Sequence, residues 1–257
     1  MNLARLLSLS LSVFLCACTT PATDEKPAPG INIVTVMGAI HGQHRRSDAY
    51  SLSVLKAAIV KFNPDIVMVE LPPERFATAS ANYEQFGEVR ETRADDFPEL
   101  TDVVFPLRQE LGFEIVPVAA WTQKIADNRR AALAQLEKDP ARTKDWAAHQ
   151  AAIATYNEAV RGRSGNPLFI HSEAYDGAVK ARQKVYEKLF GNDLGPGGWQ
   201  NINMAHYQKI AAALDDVKGQ EKRMLILYGA WHKYWFLEQL AARDDIQLRG
   251  AADLFAD

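Results

Sequence analysis

Two histidines stand in the same short motif near opposite ends of the chain. GAIH at 38–41 and GAWH at 229–232 each end a short apolar run, and Glu70 ends another such run. Imidazole and carboxylate groups bind divalent metals and transfer protons in hydrolytic reactions. His41, Glu70 and His232 are therefore the first candidates for a catalytic site.

These candidates have to be positioned by strands that end on one side of the fold. A continuous apolar run bounded by glycine predicts a strand that is buried on both faces, as in a parallel sheet. Open α/β sheets bind ligands at the carboxyl ends of their strands, where glycine lets the backbone approach a ligand closely. We therefore expect four strand ends to share one edge, and they carry His41, Glu70, Trp121 and His232.

The residues alone leave two interpretations of the strand-end histidines open. Two imidazoles and a carboxylate could converge on a divalent metal and leave one position for a water, which the metal would make more acidic. Alternatively, each histidine satisfies hydrogen bonds near a strand end and has a purely structural role. The repeated motif favours the first interpretation, and the frequency of structural histidines in proteins favours the second.

Arg75, five residues after Glu70, could bind a substrate carboxylate or phosphate, or pair with a nearby acid. The remaining histidines lie in polar stretches, and we expect them to be exposed to solvent: His44, His149, His171 and His206. Three tryptophans near strand–helix junctions either line a pocket or belong to the core: Trp199, Trp231 and Trp235.

The order of apolar runs and helical stretches predicts an α/β fold with a mostly parallel central sheet of about five strands, flanked by helices. The predicted strands are 31–37, 66–69, 113–118, 224–228 and 246–249. A long helical insertion, about 122–217, is expected over the carboxyl ends of the strands. The stretch 80–96 is predicted to be a loop or a poorly ordered helix, and 99–111 a helix that Pro106 kinks.

The composition excludes several classes of function. Hydrophobic residues make up 47% of the 257 residues, which is enough for a sizeable core. The net charge is −3 and no basic run exceeds two residues, so we expect no nucleic-acid partner. Both cysteines lie within the first 18 residues, which excludes a thiolate nucleophile and disulfides from the folded body. The sequence also lacks the Gly-x-Ser-x-Gly, His-Glu-x-x-His and P-loop motifs.

The amino-terminal segment, 1–17, is predicted to be a lipoprotein signal peptide. Arg5 precedes a short apolar stretch, and LCAC at 15–18 resembles a bacterial lipobox, which implies cleavage before Cys18 and acylation of that residue. The alternative is an ordinary signal peptide or a signal anchor with two incidental cysteines.

Residues 18–30 are then a lipidated cysteine and a flexible tether, and 31–257 a single α/β domain. Thr19 after the cysteine favours the outer membrane of a bacterial cell envelope, with the domain facing the periplasm.

Taken together, these motifs resemble the TraB/GumN-type family and the related Tiki-type metalloproteases. The family has two Gly-x-x-His motifs and an acidic residue after its second strand, which PDIVMVEL at 64–71 matches with Glu70. Arg75 stands where the family often has arginine. QNINM at 200–204 resembles a family Arg-Asn-x-x-Met segment, with Gln200 in place of the arginine and Asn201 retained.

The resemblance implies a fold of two related halves and a peptidase with His41, Glu70 and His232 at a divalent metal. Erythromycin-esterase-like relatives instead use histidine as a general base, and ChaN-type relatives are haem-binding lipoproteins.

From the residues and this resemblance we expect a membrane-anchored hydrolase that cleaves an amide or ester in a peptide or small molecule. His41 and His232 would bind manganese, cobalt or zinc, and Glu70 would be the third ligand or the base. Asn201 and Arg75 would orient the substrate or stabilise an oxyanion. The alternatives are a lipoprotein that binds haem or another ligand without turnover, and a degenerate member that only scaffolds partners.

Overall fold

Five parallel strands form one sheet in the order β3-β2-β4-β1-β5 in the computed structural model, which describes residues 28–92 and 94–256. The strands are β1 (Asn32–Ala39), β2 (Ile66–Val69), β3 (Glu114–Pro117), β4 (Arg223–Gly229) and β5 (Ile246–Arg249). The predicted α/β class with a parallel five-stranded sheet is confirmed. The predicted signal peptide, Cys18 and most of the predicted tether lie outside the described residues.

The central strands are buried along their whole length, which explains their continuous apolar sequences. All eight residues of β1 are buried, and so are six of the seven residues of β4. β1 continues two residues beyond its predicted end because Gly38 and Ala39 pair in register with Tyr228 and Gly229. Gly38 and Gly229 are therefore both strand residues, and the backbone leaves the sheet only after each of them.

Helices cover the sheet and occupy most of the remaining chain. They are α1 (Leu52–Phe62), α2 (Pro73–Phe86), α3 (Phe105–Leu111), α4 (Gln123–Lys138), α5 (Thr143–Val160), α6 (Pro167–Ile170), α7 (Glu173–Leu194), α8 (Trp199–Asp216) and α9 (Lys233–Leu240). Helices α4 to α8 form the predicted insertion between β3 and β4. Within the described residues, none of the helices combines the length and hydropathy that a bilayer crossing requires.

Two segments differ from their predictions. Part of the stretch predicted as a loop or weak helix belongs to α2. This helix begins at Pro73 and ends at Phe86, and Gly87 caps it with a left-handed backbone conformation. The stretch predicted as one kinked helix is a π-helix, Glu99–Val104, that runs into α3. Pro106 lies in the first turn of α3 and has no N–H to donate to the π-helical turn that precedes it.

Candidate active site

The strand order brings the ends of β1, β4 and β2 together. Because β4 lies between the other two strands, the residues that follow β1 and β2 face each other across its end. The backbone N–H of Gly229 donates a hydrogen bond of 2.8 Å to Glu70 Oε2. His41 Nε2 lies 3.8 Å from the same carboxylate oxygen. Two of the three predicted metal ligands, His41 and Glu70, therefore meet at the carboxyl end of the sheet.

Gly229 provides the space in which His41 and Glu70 meet. A Cβ atom at this position would lie 2.7 Å from His41 Nε2, closer than real Cβ contacts come, and a tight 3.0 Å from Glu70 Oε2. The glycine of the second motif is thus required by the histidine of the first motif.

Gly38 of the first motif packs in turn against the alanine of the second motif. A Cβ there would lie 3.0 Å from both Cα and Cβ of Ala230. The Ala230 N–H also donates to the Ala39 carbonyl at 2.9 Å, which extends the β1–β4 pairing into the second motif. The shared Gly-Ala pattern is therefore explained by close packing of one motif against the other.

His41 is held in an unusual backbone conformation with its ring directed by a carboxylate. Its φ is +50°, a left-handed value that costs free energy in a non-glycine residue and is found preferentially at functional sites. Nδ1 lies 2.6 Å from Oε1 of Glu99, and the side chain is 37% exposed. Because a carboxylate only accepts, Nδ1 carries the proton, and the neutral ring keeps a lone pair on Nε2.

Glu99 is a site residue that the sequence interpretation missed. It begins the π-helix, its side chain is only 3% exposed, and π-helical turns are frequent at functional sites. Its second oxygen, Oε2, is buried without a hydrogen-bond partner in the part of the chain that the structure describes. The available signal was Glu99 among the apolar residues of 97–105, a stretch that also contains Asp102.

His232, the third predicted metal ligand, is anchored by an amide. Its Nδ1 lies 2.7 Å from Asn203 Oδ1, while Asn203 Nδ2 donates to the Trp199 carbonyl at 2.7 Å. Because that carbonyl only accepts, the amide nitrogen of Asn203 must face it and the amide oxygen must face His232. His232 Nδ1 is therefore the donor, and Nε2 keeps a lone pair, as in His41.

Aromatic rings surround His232 and keep it neutral. The ring stacks on Trp199 at a centroid distance of 4.7 Å and lies 5.2 Å from Tyr228. Burial lowers the pKa of His232 well below the usual histidine value, and the nearby His206 ring lowers this pKa further.

The other histidines are not exposed as predicted. His44, His149 and His206 are buried, and His171 is half-buried. Three of them accept backbone hydrogen bonds: His44 from Ile40, His171 from Gly38 and His206 from Ala120. Burial lowers the pKa of both His171 and His206 to about 3. The prediction of solvent exposure was wrong because these histidines, although they lie in polar sequence, are neutral in the fold. Near the strand ends they accept backbone hydrogen bonds that water would otherwise accept.

The structure does not bring Asn201 and Arg75 to His41. Asn201 donates its side-chain amide to the Gly195 carbonyl and is exposed, whereas Asn203 contacts His232. Two residues along a helix turn by about 200°, so Asn201 and Asn203 lie on opposite faces of α8. Arg75 donates to Glu91 at 3.0 Å and lines a separate outer cavity.

His41 and His232 line one cavity of about 480 Å³, which we call the catalytic cavity. The end of α5 and the start of α7 form its far wall through Tyr156 and Tyr175. Trp231, predicted to line a pocket or join the core, is partly exposed and lines this cavity. The two strand-end histidines, which were predicted to lie close together, thus line one cavity that the helical insertion covers.

The predicted metal ligands are of the chemical types that bind a divalent metal, but the three are not placed around one point. Each histidine has its Nδ1 held by an oxygen acceptor, which is the arrangement of metal-bound histidines. However, no group of three His, Cys, Asp or Glu residues in 28–92 and 94–256 is placed to hold a metal ion.

Comparisons with protein-family models, with curated proteins and with solved structures found no match for this chain. The resemblance to the TraB/GumN-type family therefore stays a prediction that rests on its motifs.

Proposed function

We propose that this protein is a membrane-anchored hydrolase that cleaves an amide or ester bond in the catalytic cavity. The observation that carries the proposal is the pair of strand-end imidazoles, each with Nδ1 held by an acceptor and a lone pair left on Nε2. An imidazole held in this way can accept a proton from a water or a substrate group.

His41 acts as the general base in this proposal. Its Nε2 and Glu70 Oε2 are 3.8 Å apart, too far for a direct hydrogen bond, and a water in contact with both would lose a proton to His41. The imidazolium that forms lies beside Glu99, which stabilises its charge. The hydroxide attacks the substrate carbonyl, and His41 returns the proton to the leaving group.

The other wall of the catalytic cavity supplies groups that bind substrate. His232 stays neutral, so its Nε2 accepts a hydrogen bond from a substrate N–H or hydroxyl. The Tyr156 hydroxyl accepts a hydrogen bond of 2.8 Å from Trp231 Nε1 and is also hydrogen-bonded with Tyr175. With Tyr175 as the donor of that bond, Tyr156 keeps its own proton for a substrate acceptor. We assign to Tyr156 the stabilisation of the oxyanion that forms during attack.

The residues that would hold manganese, cobalt or zinc in this proposal are His41 and Glu70, with His232 as the third donor. When bound, such a metal would supply a more acidic water. The steps above are assigned to His41 itself, because the described residues do not group three donors around one point.

Hydrolysis of nitrophenyl esters and nitroanilide peptides by the purified protein tests the function, with and without each metal. His41→Asn should lower kcat/KM by about 10²- to 10⁴-fold, because the general base is removed. The matched control is Arg46→Gln, at an exposed residue five positions later, which should keep wild-type activity. Wild-type activity in His41→Asn would rule the proposal out. Haem uptake with a Soret band, and no hydrolysis, would support the binding lipoprotein instead.

The membrane anchor is a separate part of the proposal and rests on the lipobox sequence at 15–18. Cys18→Ser should move the protein from the membrane fraction to the soluble fraction of the cells that express it. Membrane association of the Cys18→Ser protein equal to that of the wild type would exclude acylation of Cys18 as the anchor.

A further inference from the structure

A second, smaller cavity lies beyond His232, under the helical insertion, and we call it the inner chamber. It has a volume of about 280 Å³ and shares Trp231 and His232 with the catalytic cavity as common walls. We propose that the inner chamber binds the anionic end of the substrate, a carboxylate or a phosphate on a ring or short apolar chain. This inference rests on the proposed hydrolase function, since it names the class of substrate that the same site takes.

The walls of the inner chamber are aromatic. Four of the five tryptophans of the chain line it: Trp121, Trp146, Trp199 and Trp231. Flat apolar walls of this kind suit a planar or apolar ligand body, and the volume admits a group about the size of one ring.

Arg182 carries a positive charge into this aromatic chamber without a counter-charge. Its guanidinium lies 4.1 Å from the centre of the Trp231 ring. Nε and Nη1 are buried, and neither has a hydrogen-bond partner within the described residues. Stacking on tryptophan holds the cation but leaves its in-plane N–H donors unused, and a half-buried guanidinium with unused donors is suited to an anion.

Arg129 adds a second guanidinium to the same chamber. No ion pair joins Arg129 or Arg182 to an acid in 28–92 and 94–256, whereas the neighbouring Arg130 pairs with Asp127 at 3.2 Å. Among the described residues that line the chamber there is no Asp or Glu. Two arginines without acids favour a bound anion over a neutral or cationic ligand.

The position of the chamber orients the substrate. His232 and Trp231 separate the two arginines from the cavity that holds His41. A substrate with its anionic end in the inner chamber would reach His41 along the two shared residues, Trp231 and His232.

Isothermal titration of the full-length protein with small probes tests the inference. The probes are phenyl phosphate, phenylacetate and the neutral phenylacetamide. We expect at least one of the two anions to bind about 10-fold or more tightly than the amide, since a charge-assisted hydrogen bond contributes that much. Arg182→Met and Arg129→Met should each lose this preference. Arg130→Met, one residue away on the same helix, should keep it.

Thermal unfolding provides a second readout for Arg182→Met. Removing a partly buried cation that lacks a counter-charge should leave the unfolding midpoint unchanged or raise it, although anion binding is lost. A lower midpoint together with retained anion binding would overturn the inference, because Arg182 would then be a structural residue. Equal binding of all three probes would overturn it as well.

Probe binding is also measured in His41→Asn, which separates this inference from the proposed function. Anion preference in His41→Asn supports the inner chamber whether or not the wild type hydrolyses any substrate. Hydrolysis without anion preference would retain the proposed function and reject the anionic substrate class.

Discussion

The two Gly-Ala-x-His motifs are adjacent in the sheet, yet their histidines have opposite surroundings. His41 is partly exposed and lies between two carboxylates, those of Glu70 and Glu99. His232 stacks on an aromatic ring and is held by the neutral amide of Asn203. Both have the same ring nitrogen anchored, so the motif fixes where each imidazole lies, and its neighbours fix its charge.

In the proposed function, this difference gives the two histidines different roles. Carboxylates favour the protonated form of a neighbouring imidazole, whereas burial among rings disfavours it. His41 is therefore suited to accept a proton during the reaction, and His232 to remain a neutral hydrogen-bond acceptor. A repeated motif on its own does not imply two equivalent catalytic residues.

Among the changes that keep both histidines, the largest effect is expected from Gly229→Ala, which pushes His41 away from Glu70. The added Cβ would lie 2.7 Å from His41 Nε2, so the imidazole must move from Glu70. A displacement of about 1 Å at a catalytic group costs about 10²-fold in rate, and we expect a loss of at least that size in kcat. Gly42→Ala is the control, because its Cβ would meet no atom within 4 Å. Equal activity in the two variants would contradict the role of Gly229.

The next largest effect is expected when His41 is made to resemble His232. Glu99→Gln keeps the shape of the side chain and removes the charge that stabilises the imidazolium. We expect kcat to fall at least about 10- to 100-fold, the range found for hydrogen-bond partners of metal-bound histidines. The unfolding free energy should change little. An unchanged kcat would mean that Glu99 only packs against His41.

The buried histidines predict a smaller effect, on stability, in acid. His206 stays neutral in the fold with a pKa of about 3, whereas in the unfolded chain it takes up a proton below about pH 6.5. Its contribution to stability is therefore present above pH 6.5 and is lost as the pH falls towards 3. Between pH 7 and pH 5 this loss is about 2 kcal/mol.

Urea unfolding at both pH values measures this loss. His206→Asn keeps an acceptor for the Ala120 N–H and removes the titrating group, so its stability should depend less on pH. A pH dependence equal to that of the wild type would show that His206 is not the group that titrates.

The smallest effect is expected when His232 is made to resemble His41. Asn203→Asp places a carboxylate against Nδ1 and should raise the pKa of His232, by an amount that NMR titration measures. Asn203→Leu, which removes the acceptor without adding charge, is the matched control. A pKa of His232 that does not rise in Asn203→Asp would mean that burial alone determines its charge.

The strands were predictable because each is a continuous apolar run, and β2 and β5 have the predicted bounds. His41 and Glu70 were predictable as neighbours because parallel strands end on one edge. Glu99 and Asn203 were not, because each reaches its histidine from a helix that is distant in sequence. Choosing between Asn201 and Asn203 required the rotation of α8, and the family resemblance favoured Asn201.

The tautomers of the two histidines test the central claim most directly, and ¹⁵N NMR of the imidazole nitrogens measures them without a substrate. The structure predicts that the neutral forms of His41 and His232 both carry the proton on Nδ1. It also predicts that His232 Nε2 stays unprotonated at pH values at which an exposed histidine is protonated, since burial lowers its pKa. A proton on Nε2 of neutral His232, or protonation of His232 near pH 6.5, would contradict the division between a base and a neutral acceptor.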